Sequence, residues 1–105
     1  MRTARDERYL YAGLIKLHVL YHAAKEPFYG LAMIEELGRH GYKLSAGTLY
    51  PILHSMEERG YLVSTKERSG SAERRVYRAT RAGRKALAGA KLKVHELFGE
   101  LFEDD

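Results

Sequence analysis

The sequence predicts a mainly α domain with one small β-hairpin, and three observations carry that reading. Apolar residues recur at helical spacing in four separate stretches of the 105-residue chain. Two runs of β-branched and aromatic residues, Tyr61 to Arg68 and Arg74 to Ala79, flank the polar tip Ser69-Gly70-Ser71-Ala72, as in a hairpin. Pro27, Gly41 and Gly60 each fall where a periodic stretch ends, so the boundaries and the periodicity agree. A chain of this length forms one domain and buries only about two thirds of its unfolded surface.

The first helix is expected from about Asp6 to Ala24, with Leu10, Leu14, Leu17 and Tyr21 at helical spacing. Lys25-Glu26-Pro27 ends it, because the residue before a proline avoids the helical region. A second helix spans about Tyr29 to His40, with Ile34 and Leu37 inward and Gly41 closing it. Tyr42-Lys43-Leu44 reads as an extended link, with a short strand as the alternative. Ser45 then offers a side-chain oxygen to the orphan N–H groups of a third helix. Leu49, Ile52, Leu53 and Met56 share one face of it, and Gly60 suits the left-handed position past its end. Pro51 cannot donate to the carbonyl four residues back. Either the helix proper begins near Thr48, making Pro51 a first-turn residue, or the first turn is bent. Thr80 caps a last helix from Arg81 to about Phe102. In it Leu87, Ala90, Val94, Leu97 and Leu101 form a heptad seam that Phe98 and Phe102 widen.

Composition removes several function classes. Apolar residues at 45% and charged residues at 30% describe a globular chain rather than a disordered one. With no cysteine, disulfides, thiolate metal sites and thiol catalysis are excluded, and a reducing cytoplasm is the expected location. The longest apolar stretch, Leu10 to Ala24, is broken by Lys16, His18 and His22 and is too short to span a bilayer, and no secretory signal is visible, so no membrane role is expected. No glycine loop cradles a phosphate, and the adjacent pairs Glu35-Glu36 and Glu57-Glu58 diverge on a helix, so neither an enzyme nor a bound cofactor is expected. The net charge of +4 is unevenly spread: residues 66–91 hold nine bases and two acids, whereas residues 96–105 hold five acids and no base. That asymmetry fits a basic surface for a polyanion, with an acidic tail held elsewhere.

Helices followed by a basic hairpin give the order of a winged helix-turn-helix. Thr48, Tyr50, His54 and Ser55 point away from the apolar stripe of the third helix, and Lys66, Arg68, Arg74 and Arg75 flank the hairpin tip. Taken singly, these are a solvated helix face and a charge-guarded hairpin. Adjacent in one chain, they are a recognition helix and a wing for double-stranded DNA. Thr48, Tyr50 and His54 are the expected base-edge contacts. Ser45, Tyr29 and the helix-start N–H groups would hold phosphates, and Lys66, Arg68, Arg74 and Arg75 would add salt-dependent affinity. Arg78, Arg81 and Arg84 are expected to contribute field rather than contact. Two alternatives stand beside this. A winged helix can instead bind protein, although such a wing has no need of four bases together. A divalent metal could also be sensed by His18 and His22, four apart on one helix, if a carboxylate or a partner chain's His95 completed the site.

Four segments together resemble the PadR family of bacterial transcriptional regulators. They are Tyr29-Gly30 with Ile34 and Leu37; Ser45-Ala46-Gly47-Thr48-Leu49-Tyr50-Pro51-Ile52-Leu53; Met56-Glu57-Glu58-Arg59-Gly60-Tyr61-Leu62; and Arg74-Arg75-Val76-Tyr77-Arg78-Ala79-Thr80-Arg81-Ala82-Gly83. The match runs in register over about residues 10 to 90. It implies a homodimeric DNA-binding regulator, usually a repressor that leaves its operator when a small effector binds. The short chain is similar to the subfamily in which one C-terminal helix completes the dimer. Residues 1–80 would then be the DNA-binding part, with residues 81–105 the dimerisation helix and tail. Leu87, Val94, Leu97, Phe98 and Leu101 would form the seam. Two recognition helices about 34 Å apart would read a pseudo-palindromic operator. Some short members hold flat aromatic drugs between tryptophans of the last helix. This chain has no tryptophan, and Val94 stands near that position, which argues against such a sandwich and leaves Phe98 and Tyr11 as possible lining of an apolar cavity.

Overall fold

The computed structural model describes residues 3–103. In chain order they form α1 (Ala4–Lys25), β1 (Phe28–Tyr29), α2 (Gly30–Arg39), α3 (Ala46–Glu58), β2 (Leu62–Ser69), β3 (Ala72–Ala79) and α4 (Arg81–Glu103). Helix α1 starts two residues before Asp6 because Thr3 caps it. The Thr3 hydroxyl accepts from the Asp6 N–H at 3.3 Å, and the Asp6 carboxylate accepts from the Thr3 N–H at 3.1 Å. The ends of α2 and α3 close alike. Gly41 (φ 90°) and Gly60 (φ 82°) take the left-handed conformation. Tyr42 N–H donates to the Leu37 carbonyl and Tyr61 N–H to that of Met56, each at 2.9 Å.

The three strands form an antiparallel sheet in the order β1-β3-β2. The third strand is Phe28–Tyr29, which pairs with Tyr77 and Val76. Residues 42–44 form no strand, so the alternative reading of that link is corrected. Two residues carry too little periodicity to announce a strand. What fixes β1 is tertiary: Phe28 stacks on Tyr77 with ring centroids 5.4 Å apart.

The core gathers one face of each helix against the sheet. Ile15, Val19, Leu20 and Ala23 come from α1, Met33 and Leu37 from α2, Leu49, Leu53 and Met56 from α3, and Leu62 and Tyr77 from the hairpin. The stripe Leu10, Leu14, Tyr21 is the exposed side of α1, and the stripe one step around the helix is the buried one. Helix α1 therefore has apolar residues on two sides.

Helix α4 is anchored at its start. The Thr80 hydroxyl accepts from the Gly83 N–H at 2.9 Å and donates to the Gly60 carbonyl, which bears out the expected cap. Gly83 is buried against the Tyr61 backbone, where no side chain fits. Arg84 donates to the Ala24 carbonyl at 2.8 Å, binding α4 to the end of α1. Ala86 and Leu87 still touch the core, but beyond them Val94, Leu97, Phe98, Leu101 and Phe102 are exposed. Leu87 thus packs within its own chain, unlike Val94, Leu97, Phe98 and Leu101 of the expected seam. Among the described residues no helix is long and apolar enough to cross a membrane.

Candidate nucleic-acid interface

Helix α3 runs unbroken from Ala46 to Glu58, with Pro51 in its second turn, so the start near Thr48 is not the one adopted. Its apolar stripe is sunk in the core, which directs Tyr50 and His54 outward. Ser45 occupies the N-cap position but does not cap with its side chain. Its hydroxyl donates to the Thr48 hydroxyl at 3.2 Å, while its carbonyl accepts from the N–H groups of Thr48 and Leu49. The Ala46 and Gly47 N–H groups at the helix start consequently stay available to an anion. His54 is exposed and lies 3.7 Å from the Glu58 carboxylate. Ser55 is engaged by Arg59, which donates to its hydroxyl at 2.6 Å.

Tyr50 does more than face outward. A Cβ at Gly30 would lie 2.6 Å from the phenol carbon Cζ and 2.7 Å from Cε1, so the ring of α3 covers the first residue of α2. Only glycine permits this approach. The Tyr29-Gly30 and Tyr50-Pro51 segments of the sequence thus meet in a close contact between the two helices.

Strand register sorts the wing bases onto two faces. Lys66 pairs with Arg75 and Arg68 with Glu73, whereas Arg74 pairs with Glu67. Because side chains alternate along a strand, Lys66, Arg68 and Arg75 share one face and Arg74 takes the other. The expectation of four bases acting together is corrected to three plus one. The face with three continues towards α3 through a chain of bonds. Arg75 donates to the Ser64 hydroxyl at 3.0 Å, and Ser64 donates through hydroxyl and N–H to the Glu57 carboxylate at 2.7 and 3.2 Å. Glu57 thus fastens the end of α3 to the wing, a role invisible when Glu57-Glu58 is read as an acidic pair. Arg74 instead lies over the Tyr29 ring, 5.3 Å from its centroid, so Tyr29 anchors the wing to the start of α2. Arg78 bonds Thr65 at 3.1 Å and Glu67 at 3.4 Å, and Lys66 lies 3.7 Å from Glu73.

A second cluster lies on the far side of the domain. Helices α1 and α4 bound an apolar trough of about 830 Å³, lined by Leu14, Leu17, Tyr21, Leu87, Val94 and Phe98 among others. Tyr11 is not in that lining. It packs edge-on against Tyr42 with centroids 6.2 Å apart. At one end of the trough His18 and His22 meet His40, the residue that caps α2. One ring nitrogen from each falls within 4.8 Å of the other two. Glu36 presents one carboxylate oxygen to His40 Nε2 at 3.1 Å and His22 Nε2 at 3.6 Å, while Arg39 holds the other oxygen at 2.8 Å. Burial, then the neighbouring His40 and His22 rings, hold the His18 imidazole below its ordinary range, with Glu36 opposing. His40 and Glu36 were not singled out in the sequence. The signal was their spacing of four on α2, matching that of His18 and His22 on α1.

Comparison with known proteins fits this geometry. Residues 19–89 match the model of the transcriptional regulator PadR-like family. The transcriptional regulator Rv3488 of Mycobacterium tuberculosis is 47% identical over 87 residues, covering 83% of this chain and 81% of that protein. A PadR family transcriptional regulator from Eggerthella lenta, 34% identical, superposes with a TM-score of 0.79 over 92% of this chain and 88% of its own. A PadR-like regulator from Bacillus cereus, 25% identical, gives 0.77 over 90% and 97%. These relatives are transcriptional regulators and not enzymes. With its helix-turn-helix and basic hairpin, the chain belongs to the PadR-like family of transcriptional regulators.

Proposed function

We propose that the protein is a homodimeric repressor that binds a pseudo-palindromic operator and leaves it when a small effector reaches the trough between α1 and α4. The observation that carries this reading is the pair of unpartnered apolar faces, Leu10, Leu14 and Tyr21 on α1 and Val94, Leu97, Phe98 and Leu101 on α4. So much contiguous apolar surface is unusual on a monomer, and pairing about a two-fold axis buries both faces at once. The pairing carries two α3 helices to one side of the dimer, where successive major grooves lie about 34 Å apart. Thr48, Tyr50 and His54 would then read base edges. The N–H groups at the starts of α2 and α3, together with Ser45 and Tyr29, would hold phosphates. Lys66, Arg68 and Arg75 would follow the backbone beside α3, and Arg74 would act mainly through Tyr29. Such a regulator works where a bacterial chromosome lies, in the cytoplasm.

The test is fluorescence anisotropy with the duplex upstream of the protein's own gene, titrated at several salt concentrations. If each dimer neutralises roughly six phosphates, affinity should fall about a thousandfold between 50 and 200 mM salt. Equal affinity for unrelated duplexes, or no dependence on salt, contradicts operator recognition.

A further inference from the structure

We propose that His18, His22, His40 and Glu36 form a binding site for a divalent transition-metal ion of the zinc class. Three features converge on it. Histidines four apart on α1 project to the same side, and the closure of α2 at Gly41 delivers a third imidazole to them, so three ring nitrogens stand within 4.8 Å of one another. His22 Nε2 is buried and has no hydrogen-bond partner, although an imidazole nitrogen shut away from water needs one. The Glu36 oxygen not held by Arg39 faces both His22 and His40, a fourth donor on the same spot.

The chemistry of the donors selects the ligand. Three imidazoles and one carboxylate suit zinc, cobalt or nickel in four-coordinate geometry. An all-oxygen cage for calcium or magnesium is absent here, and so are the thiolates that favour soft monovalent ions. Bonds of about 2.0–2.1 Å to one tetrahedral ion set the ring nitrogens about 3.4 Å apart, so they must close in by up to about 1.5 Å, within reach of side-chain rotation. A metal-free network of imidazole and carboxylate is the competing arrangement. It satisfies His40 but leaves His22 Nε2 bare. His95 lines the same trough but lies outside the group, so one chain supplies all four donors without its partner.

The position also fits control. An ion there ties α1, which carries half of the apolar face, to α2, which Tyr50 joins to α3. Resting on the function proposed above, the metal is the effector: binding shifts the recognition helices relative to the dimer axis and weakens the operator complex.

The experiment titrates the full chain, stripped by chelation, with zinc chloride in calorimetry and with cobalt chloride in visible spectroscopy. Expected are one ion per chain, a four-coordinate cobalt spectrum and, at about a hundredfold excess over Kd, a rise in Tm of about 10 °C. His40→Gln, at the more exposed ligand, should weaken binding by more than about tenfold, as should His22→Gln, while His95→Gln leaves it unchanged. No binding in the stripped wild-type chain, or equal binding by His40→Gln, overturns the site. In a parallel anisotropy titration zinc should lower operator affinity by about tenfold, and not in His40→Gln. Metal binding with unaltered operator affinity upholds the site and overturns its role as effector. Specific metal binding by a chain that ignores every duplex upholds the site and removes the repressor reading instead.

Discussion

Helix α3 buries Leu49, Leu53 and Met56 to 3% exposure or less, with Ile52 half-buried beside them, whereas the second half of α4 leaves Val94, Leu97, Phe98 and Leu101 about half exposed. Both stripes have the same helical spacing and nearly the same residue types, so periodicity does not separate them. What separates them is what stands opposite. Around α3 lie α2, β2 and Tyr77, while beyond Leu87 the trough wall of α1 is the main cover of α4 among the described residues. The polar faces differ in the same way. That of α3 is tied to its neighbours through Tyr50 on Gly30 and Glu57 on Ser64. The proposed function assigns the braced surface to DNA and the uncovered apolar one to a second copy.

Substitutions on the two stripes should therefore separate cleanly. The largest effect is expected from Leu53→Ala, which opens a cavity in the core and should cost about 2–5 kcal/mol in chemical denaturation at any protein concentration. Gly83→Ala comes next. Its Cβ meets the Tyr61 backbone, which cannot swing aside, and about 1–3 kcal/mol of overpacking is expected, read as a fall in Tm. Phe98→Glu combined with Leu101→Glu should leave the circular dichroism of the dilute chain intact. It should abolish the concentration dependence of Tm and lower operator affinity by orders of magnitude. Thr48→Ala or His54→Ala should each cost about 1–3 kcal/mol in operator binding, with stability within about 0.5 kcal/mol of wild type. The smallest effect sharpens the comparison within the wing. Arg68→Ala should reduce the salt slope by about one per chain, while Arg74→Ala, on the opposite face, should alter it less. Equal slopes for the two would contradict the division of the wing bases by strand register.

Much of the fold was legible because its signals are local. Thr80, Gly41 and Gly60 mark helix ends by hydrogen bonding and backbone conformation that depend on only a few neighbours. The basic hairpin announced itself by alternation and by its tip. Illegible features depend on long-range pairing. Phe28–Tyr29 becomes a strand only because β3 arrives to pair with it, some fifty residues later in the chain. The buried side of α1 was not legible, since Leu10, Leu14 and Tyr21 are as periodic as Ile15, Val19 and Leu20, and periodicity cannot rank two apolar stripes on one helix. Ser45 stands where a cap belongs, yet Thr48 competes for its hydroxyl. For the candidate site, the row on α3 was visible, but the sorting of Lys66, Arg68 and Arg75 from Arg74 required the register. His40 and Glu36 became partners of His18 and His22 only through the packing of α2 on α1.

The most direct test of the central claim, that two copies joined through α1 and α4 present paired α3 helices to one duplex, is the mass of the complex with a single operator fragment by sedimentation equilibrium. The account predicts two chains per duplex for wild type, and a loss of tight binding for Phe98→Glu with Leu101→Glu. One chain per duplex at undiminished affinity, or the same affinity in that double variant, would contradict it.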